Sequence, residues 1–129
     1  MTEPLWITLE DCLCVHDEML ARFGGLSGTR DSGLLESALA KPRQLFCFGN
    51  PSLFDCAASY ASGIVKSLPF LDGNKRAGFM AAALFLETNG LKFQAPEEQV
   101  VLQTLALASG KIDERDYSLW LADTCVEDR

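Results

Sequence analysis

The residues best suited to chemistry lie in one nine-residue stretch, Leu68–Arg76 (LPFLDGNKR). It places a carboxylate, an amide and two cations within five residues, immediately before an apolar run at 77–87 that predicts a helix. The first turn of a helix presents unpaired backbone N–H groups and the positive end of the helix dipole. Lys75 and Arg76 add full positive charges there, so the stretch predicts an anion site, and phosphate is the anion that suits it best.

Asp72 provides a hard oxygen ligand one turn away from the two cations. Mg²⁺ is commonly held by one or two carboxylates together with the oxygens of a phosphate chain, so Asp72 is a candidate Mg²⁺ ligand. Each of these residues also has a purely structural interpretation. Asp72-Gly73 is a common turn sequence, and an Asp before a helix often caps it. Taken alone, Lys75 and Arg76 would be solvated surface charges.

The stretch resembles the motif HxFx(D)(G/A)NKR of the Doc (death on curing) toxins, which belong to the wider Fic fold. The resemblance extends over about residues 5 to 125, nearly the whole chain. Outside the motif it is carried by His16-Asp17, the block at 23–39, Pro42, the stretch at 46–54, and Asn89-Gly90.

The resemblance implies a role for each position of the motif. The histidine that opens the family motif is the general base that takes a proton from the target hydroxyl, and this position is Leu68 here. Leucine cannot accept a proton, so we expect the rate to lose a factor of about 10² to 10⁴. Phe70 is expected to be structural and to fix the loop against the core. The remaining roles are metal binding by Asp72 and phosphate binding by Gly73, Asn74, Lys75 and Arg76.

As a function, the resemblance implies a Doc-type toxin of a toxin–antitoxin module. The family activity would be transfer of the terminal phosphoryl group of a nucleoside triphosphate, ATP with Mg²⁺, to a threonine hydroxyl of an elongation factor Tu-like translation factor. The chain contains no (S/T)xxxE(G/N) inhibitory motif. In this family that absence implies restraint by a separate, Phd-like antitoxin protein whose helix covers the active-site groove.

Two alternatives stay open. Fic adenylyl transferases have Gly where this chain has Lys75 and a further Arg where it has Phe79, so both departures are Doc-like, and AMP transfer to a protein hydroxyl is the second candidate chemistry. Because Leu68 removes the base, the third hypothesis is a non-catalytic module that binds nucleotide or antitoxin. The leucine is equally compatible with natural loss and with deliberate replacement of the histidine.

His16 is the only histidine and therefore the only imidazole that could replace the missing base. It lies on the apolar face of a predicted helix, where a histidine is usually a core or hydrogen-bonded residue, so we expect a structural role. Arg30 and Asp31 are expected to form a structural pair or a helix cap.

Composition predicts one domain, residues 1–129, large enough to bury a core. The net charge of −7 argues against nucleic acid as the main partner. No apolar run reaches the length of a membrane span, and no secretory signal is recognisable at the start, so we expect a cytoplasmic protein without membrane contact. Five cysteines without paired metal-site spacing predict reduced and mostly buried thiols: Cys12, Cys14, Cys47, Cys56 and Cys125.

The pattern along the chain is helical, and the expected architecture is all-α. It is a compact Fic/Doc-like helical bundle with the motif loop at the N-terminus of a buried central helix. Pro42 is expected to interrupt the second helix, and 46–53 to be irregular or a short hairpin. The predicted helices are Leu9–Phe23 after a Thr8 cap, 32–39, 54–67, 74–88, 96–108 and 113–125, with an extended link at 91–93.

Overall fold

Six helices and a two-stranded antiparallel sheet form residues 2–127, the part of the chain that the computed structural model describes. The predicted all-α fold is confirmed. Met1, Asp128 and Arg129 belong to the predicted domain 1–129 but lie outside the described residues, and the single-domain organisation stays a prediction. The elements are α1 Leu9–Phe23, α2 Ser32–Phe48, α3 Leu53–Ser67, α4 Asn74–Thr88, β1 Leu91–Phe93, α5 Glu97–Ser109, α6 Glu114–Thr124 and β2 Cys125–Glu127.

The helix that is enclosed on all sides is α3. Every residue from Cys56 to Val65 is buried, and α3 packs against α2, α4, α5 and α6. Glycines bring the neighbouring helices close: a Cβ on Gly63 would lie 3.1 Å from the Ala38 side chain of α2, and one on Gly78 would lie 2.7 Å from Val65. The centre of α4, which we expected to be the buried central helix, contains no exposed residue between Ala77 and Leu86, and its exposed residues lie at its two ends.

Local hydrogen bonds fix the helix starts. The N-terminus of α1 is closed by a reciprocal capping box between Thr8 and Asp11, as the Thr8 cap predicted, and Asp31 caps α2 by accepting from the Leu34 N–H. Each such cap contributes about 1 kcal/mol to helix stability. A further box between Ser52 and Asp55 starts α3, so the loop–helix junctions around the core are set by the sequence itself.

Pro42 does not interrupt α2, which continues to Phe48. The stretch 46–53, expected to be irregular or a short hairpin, is irregular only at 49–52, before α3 begins at Leu53, and it forms no hairpin. A proline inside a helix loses one hydrogen bond and crowds the preceding turn, at a cost of about 3 kcal/mol. Pro42 is buried in the core, and burial of this apolar ring together with the rest of the inner face offsets that cost.

The last helix is shorter than predicted. It ends at Thr124, and β2 then pairs antiparallel with β1, with Phe93 opposite Cys125 and Leu91 opposite Glu127. The extended link at 91–93 is therefore one strand of a small sheet that ties the end of α4 to the end of α6. Among residues 2–127, no helix is long and apolar enough to cross a membrane.

The five cysteines are free thiols, but the prediction that most are buried is wrong. Cys12 and Cys56 are buried, Cys125 is half-buried, and Cys14 and Cys47 are exposed. Burial, together with the negative charge of the adjacent carboxylate, raises the pKa of both Cys12 and Cys56 to about 11. The two buried thiols therefore combine low access with a very small thiolate fraction.

We expect this difference to appear in alkylation. In native protein at about pH 8, iodoacetamide should modify Cys14 and Cys47 at least tenfold faster than Cys12 and Cys56, because only thiolates react. The rates are read by peptide mass spectrometry, and in denaturant all five cysteines should react alike. Native labelling of Cys56 at the rate of Cys47 would contradict the buried position of α3.

Candidate active site

The candidate site is the loop between α3 and α4, residues 68–73, which we call the motif loop. It begins at Leu68, which ends α3 in the left-handed conformation with φ 54° and ψ 56°. Leu68 is the only non-glycine residue with positive φ in the described chain, and its side chain is 46% exposed. A leucine held there costs about 1–2 kcal/mol, whereas Asn, Asp and His occupy this conformation more readily.

Arg30 holds the start of the motif loop. Its Nε donates to the carbonyl oxygen of Leu68 at 2.6 Å and its Nη2 to that of Ser67 at 2.8 Å, so it caps the C-terminus of α3. Its backbone N–H donates to the Pro69 carbonyl at 2.7 Å. Of the two roles expected for Arg30, a helix cap and a pair with Asp31, the structure shows the cap, and the capped helix is α3.

The backbone of the segment 24–31 runs beside the motif loop. The Leu71 N–H donates to the Gly28 carbonyl at 3.1 Å, and Thr29 and Phe70 form an isolated antiparallel bridge. A Cβ at Gly25 would lie 2.8 Å from the Asp72 carboxylate, so the glycines of this segment allow close approach. The two stretches therefore form one structural unit.

Phe70 anchors the centre of the motif loop. Its side chain is buried, and its ring stacks on the His16 ring with centroids 3.8 Å apart and an interplanar angle of 8°. The Asn74 side chain bonds the Phe70 backbone twice: Oδ1 accepts from the N–H at 2.9 Å and Nδ2 donates to the carbonyl at 3.0 Å. The Asn74 amide, which we predicted to bind phosphate, is thus engaged in holding the loop.

Gly73 is the residue before α4 and has φ 77°, a conformation that favours glycine. It packs against the buried face of α1. A Cβ added at this position would collide with Met19 Cε and come within 3.8 Å of the His16 ring. No side chain caps α4, so the N–H groups of its first turn remain for water or a ligand. Lys75 and Arg76 follow directly and are exposed.

The Asp72 carboxylate turns toward the segment 24–31. Its Oδ2 accepts from the Leu26 N–H at 3.2 Å and its Oδ1 from the Gly73 N–H at 2.9 Å. The side chain is exposed, and each oxygen keeps a further lone pair. In the described chain, no three His, Cys, Asp or Glu side chains lie together as a metal site would require. The residues therefore fit a Mg²⁺ that arrives on phosphate oxygens, and they do not fit a metal held by protein ligands alone.

An open groove of about 490 Å³ begins beside the two cations. The Arg76 guanidinium lies 3.8 Å from the centre of the Phe23 ring, and its Nη1 is 3.9 Å from the Glu97 carboxylate. Both interactions are on the surface, and the ion pair is long and exposed, so it contributes little. The groove is lined by Arg22, Lys75 and Arg76 at its charged end and by apolar residues of α4 and α5, among them Phe79, Met80, Val101 and Leu105.

Sequence reasoning located the motif and expected structural roles for His16 and Arg30, but it did not connect either residue to the motif loop. Arg30 acts on a loop 38 positions away, and His16 on one 56 positions away. The only available signal was the spacing of His16 and Met19, which places both on the buried face of α1. Phe23 gave no signal for its contact with Arg76.

Comparison of the sequence with known proteins identifies a family and two similar proteins. The Fic/DOC family matches residues 6–86, which include α1 to α3, the motif loop and all but the last two residues of α4. The chain is 32% identical over 108 residues to Protein kinase doc of Escherichia phage P1, covering 82% of this chain and 84% of that protein. It is 40% identical over 76 residues to Toxin Doc of Mycolicibacterium smegmatis (strain ATCC 700084 / mc(2)155), covering 57% of this chain and 58% of that protein.

The chain belongs to the Fic/DOC family. Both relatives are Doc proteins, so the resemblance inferred from the motif is confirmed, and the match extends well beyond the loop itself.

The packing of Gly73 generates a stability prediction. Gly73→Ala should be more destabilising than Gly110→Ala, although both positions have φ near +80° and both substitutions incur backbone strain of about 1–2 kcal/mol. Gly110 has open space around its Cβ position, whereas Gly73 faces the buried Met19 side chain, which adds about 1–3 kcal/mol. Urea unfolding of the two variants measures the difference, and equal losses would show that Met19 moves aside at no cost.

Proposed function

We propose that this protein is a Doc-type toxin of a toxin–antitoxin module whose motif loop binds Mg²⁺–nucleoside triphosphate, with ATP as the first candidate. The observation that carries the proposal is the uncapped N-terminus of α4, with Lys75 and Arg76 exposed in its first turn and the Asp72 side chain exposed in the loop just before it. A triphosphate meets backbone N–H groups, a helix dipole and two cations there. Because the protein has a net charge of −7, a Mg²⁺ ion bound to the triphosphate would lessen the repulsion between the phosphates and the rest of the surface.

Each motif residue has a part in this binding. Lys75 and Arg76 contact phosphate oxygens, and Arg76 is already oriented by its stacking on Phe23. Gly73 lets the chain turn so that the first N–H groups of α4 face the phosphates. Asn74 contributes through its backbone, since its side chain holds Phe70. Asp72 would hold Mg²⁺, and the ion would neutralise charge on the phosphate chain.

The proposed family reaction is phosphoryl transfer to a threonine hydroxyl of an elongation factor Tu-like protein. The hydroxyl oxygen forms a bond to the terminal phosphorus, the bond from that phosphorus to the nucleoside diphosphate oxygen breaks, and the hydroxyl proton must leave. The residue at the motif opening would receive that proton. Leu68 carries no acceptor, so the chain as written binds its nucleotide and transfers slowly or not at all.

The partner proposed for restraint is a Phd-like antitoxin. The groove that begins at Arg22, Lys75 and Arg76 continues along apolar side chains of α4 and α5, and an amphipathic helix with an acidic end would match both halves. Its occupancy would cover the phosphate-binding residues. AMP transfer to a protein hydroxyl and simple nucleotide or antitoxin binding remain the alternatives, and the leucine at position 68 is the observation that favours the binding module.

The effect of the Asp72 side chain on ATP binding should depend on whether Mg²⁺ is present. With Mg²⁺, Asp72→Asn should weaken ATP binding about tenfold, equivalent to about 1.4 kcal/mol. In EDTA the same variant should bind ATP no less tightly than the parent, because a negative charge near the phosphates has been removed. Isothermal calorimetry measures both, with Asp123→Ala, an exposed aspartate on α6, as the matched control. Folded parent protein that binds no nucleotide at millimolar concentration would refute the proposal.

Restoring the base should restore activity. Leu68→His should make the chain inhibit growth when it is expressed without antitoxin, whereas Leu68→Asn, which suits the left-handed backbone equally but is no base, should not. Mass spectrometry of elongation factor Tu incubated with the histidine variant and ATP separates a phosphate adduct from an AMP adduct. Normal growth with folded histidine variant present would leave the binding-module alternative.

A further inference from the structure

His16 lies behind the motif loop, in contact with the peptide that connects Asp72 to Gly73. Its side chain is 2% exposed, and one face is covered by the stacked Phe70 ring. The ring atom Nε2 lies 2.9 Å from the Asp72 carbonyl oxygen. A carbonyl oxygen only accepts hydrogen bonds, so Nε2 must carry the proton in this contact. A nitrogen that is buried and already donating cannot take a proton from a substrate hydroxyl in front of the loop.

We propose that His16 is a positioning residue that selects one orientation of the Asp72–Gly73 peptide. The need for such a residue follows from Gly73, because glycine accepts positive and negative φ about equally and leaves two orientations of the preceding peptide open. The hydrogen bond from Nε2 holds the carbonyl end of this peptide inward, against α1. Met19, one turn further along α1, occupies the space that a Cβ at position 73 would need, so only glycine fits there without a shift.

The N–H end of the same peptide determines where the Asp72 carboxylate lies. That N–H, which belongs to Gly73, donates to Asp72 Oδ1 at 2.9 Å, while Oδ2 accepts from Leu26. If the peptide rotated, the His16 contact and the Oδ1 contact would be lost together, and the carboxylate would be released from its place. His16 therefore acts on the carboxylate through the peptide between them, at a distance from any ligand.

The same peptide leads directly into α4. Gly73 is the N-cap residue, and its carbonyl accepts from the Ala77 N–H at 2.9 Å, which closes the first helical turn. A fixed Asp72–Gly73 peptide thus also fixes the direction of the free N–H groups beside Lys75. This part of the inference rests on the proposed function, since it makes His16 a determinant of Mg²⁺–triphosphate affinity.

Two variants separate the hydrogen bond from the ring. His16→Phe keeps a flat ring on Phe70 and removes the donor; His16→Gln keeps an N–H donor at a similar reach and removes the ring. Hydrogen exchange of the Gly73 and Leu26 amides should become about tenfold faster in His16→Phe and stay within about threefold of the parent in His16→Gln. Exchange of the Ala58 and Ala61 amides of α3 reports that each variant is folded.

Nucleotide affinity supplies the second readout. By calorimetry with Mg²⁺–ATP, His16→Phe should bind about three- to tenfold more weakly, and His16→Gln should recover most of that loss. Equal behaviour of the two variants in Gly73 exchange, or parent-like exchange in His16→Phe, would overturn the positioning role. If the parent itself binds no nucleotide, the proposed function fails, while the exchange measurements still decide the role of His16.

A measurement on the unmodified protein covers the case in which both variants fail to fold. Nitrogen-15 chemical shifts of the His16 ring, recorded under mildly alkaline conditions where a free imidazole is neutral, identify which ring nitrogen carries the proton. We expect the Nε2–H tautomer. A proton on Nδ1 would leave Nε2 as an acceptor facing a carbonyl oxygen, and the proposal would be wrong.

Discussion

The structure of the site depends on one constraint: a loop that must expose its charged residues rests on a buried aromatic residue. Phe70 is that residue, stacked on His16 and bonded twice by the Asn74 side chain. Because α1, the motif loop and the start of α4 meet at this contact, core packing determines the position of the first turn of α4. The exposed part of the loop is held by hydrogen bonds to the segment 24–31: Asp72 accepts from Leu26, Leu71 donates to Gly28, and Arg30 donates to Leu68.

The small residues of α3 allow a buried anchor and an exposed helix start to lie close together in a protein of this size. Small residues along α3 and Gly78 on α4 let the two helices pack closely, so the α4 backbone lies near the centre while its N-terminus reaches the surface. Close packing of small side chains also fixes helix positions tightly, because no long flexible side chains separate the backbones. The two cations at the start of α4 can then remain exposed to water, with Arg76 making only surface contacts to Phe23 and Glu97, so both stay accessible to a ligand.

Local signals were sufficient to predict much of the fold, and non-local ones were not available. The bounds of α1 and α4 could be read correctly because capping residues and glycines mark them in the sequence itself. The passage of α2 through Pro42 could not, since burial against the core outweighs the local cost of the ring. The pairing of β2 with β1 depends on residues more than 30 positions apart. The same holds for the site: its motif residues are contiguous, and structural roles could be expected for Arg30 and His16, but their contacts with the motif loop appear only after folding.

Leu68 is the residue of the motif loop that suits neither its backbone conformation nor the proposed chemistry. It is exposed, its side chain is not part of the core, and the contacts that hold its backbone come from Arg30 to main-chain carbonyls. The loop conformation therefore does not depend on which side chain stands there. A left-handed residue at a helix end is better served by histidine than by leucine, so backbone preference and the need for a base favour the same replacement. Under the proposed function, the leucine leaves the motif opening without a proton acceptor and gains no packing in return, while the Phe70 anchor and the proposed phosphate-binding residues do not depend on it.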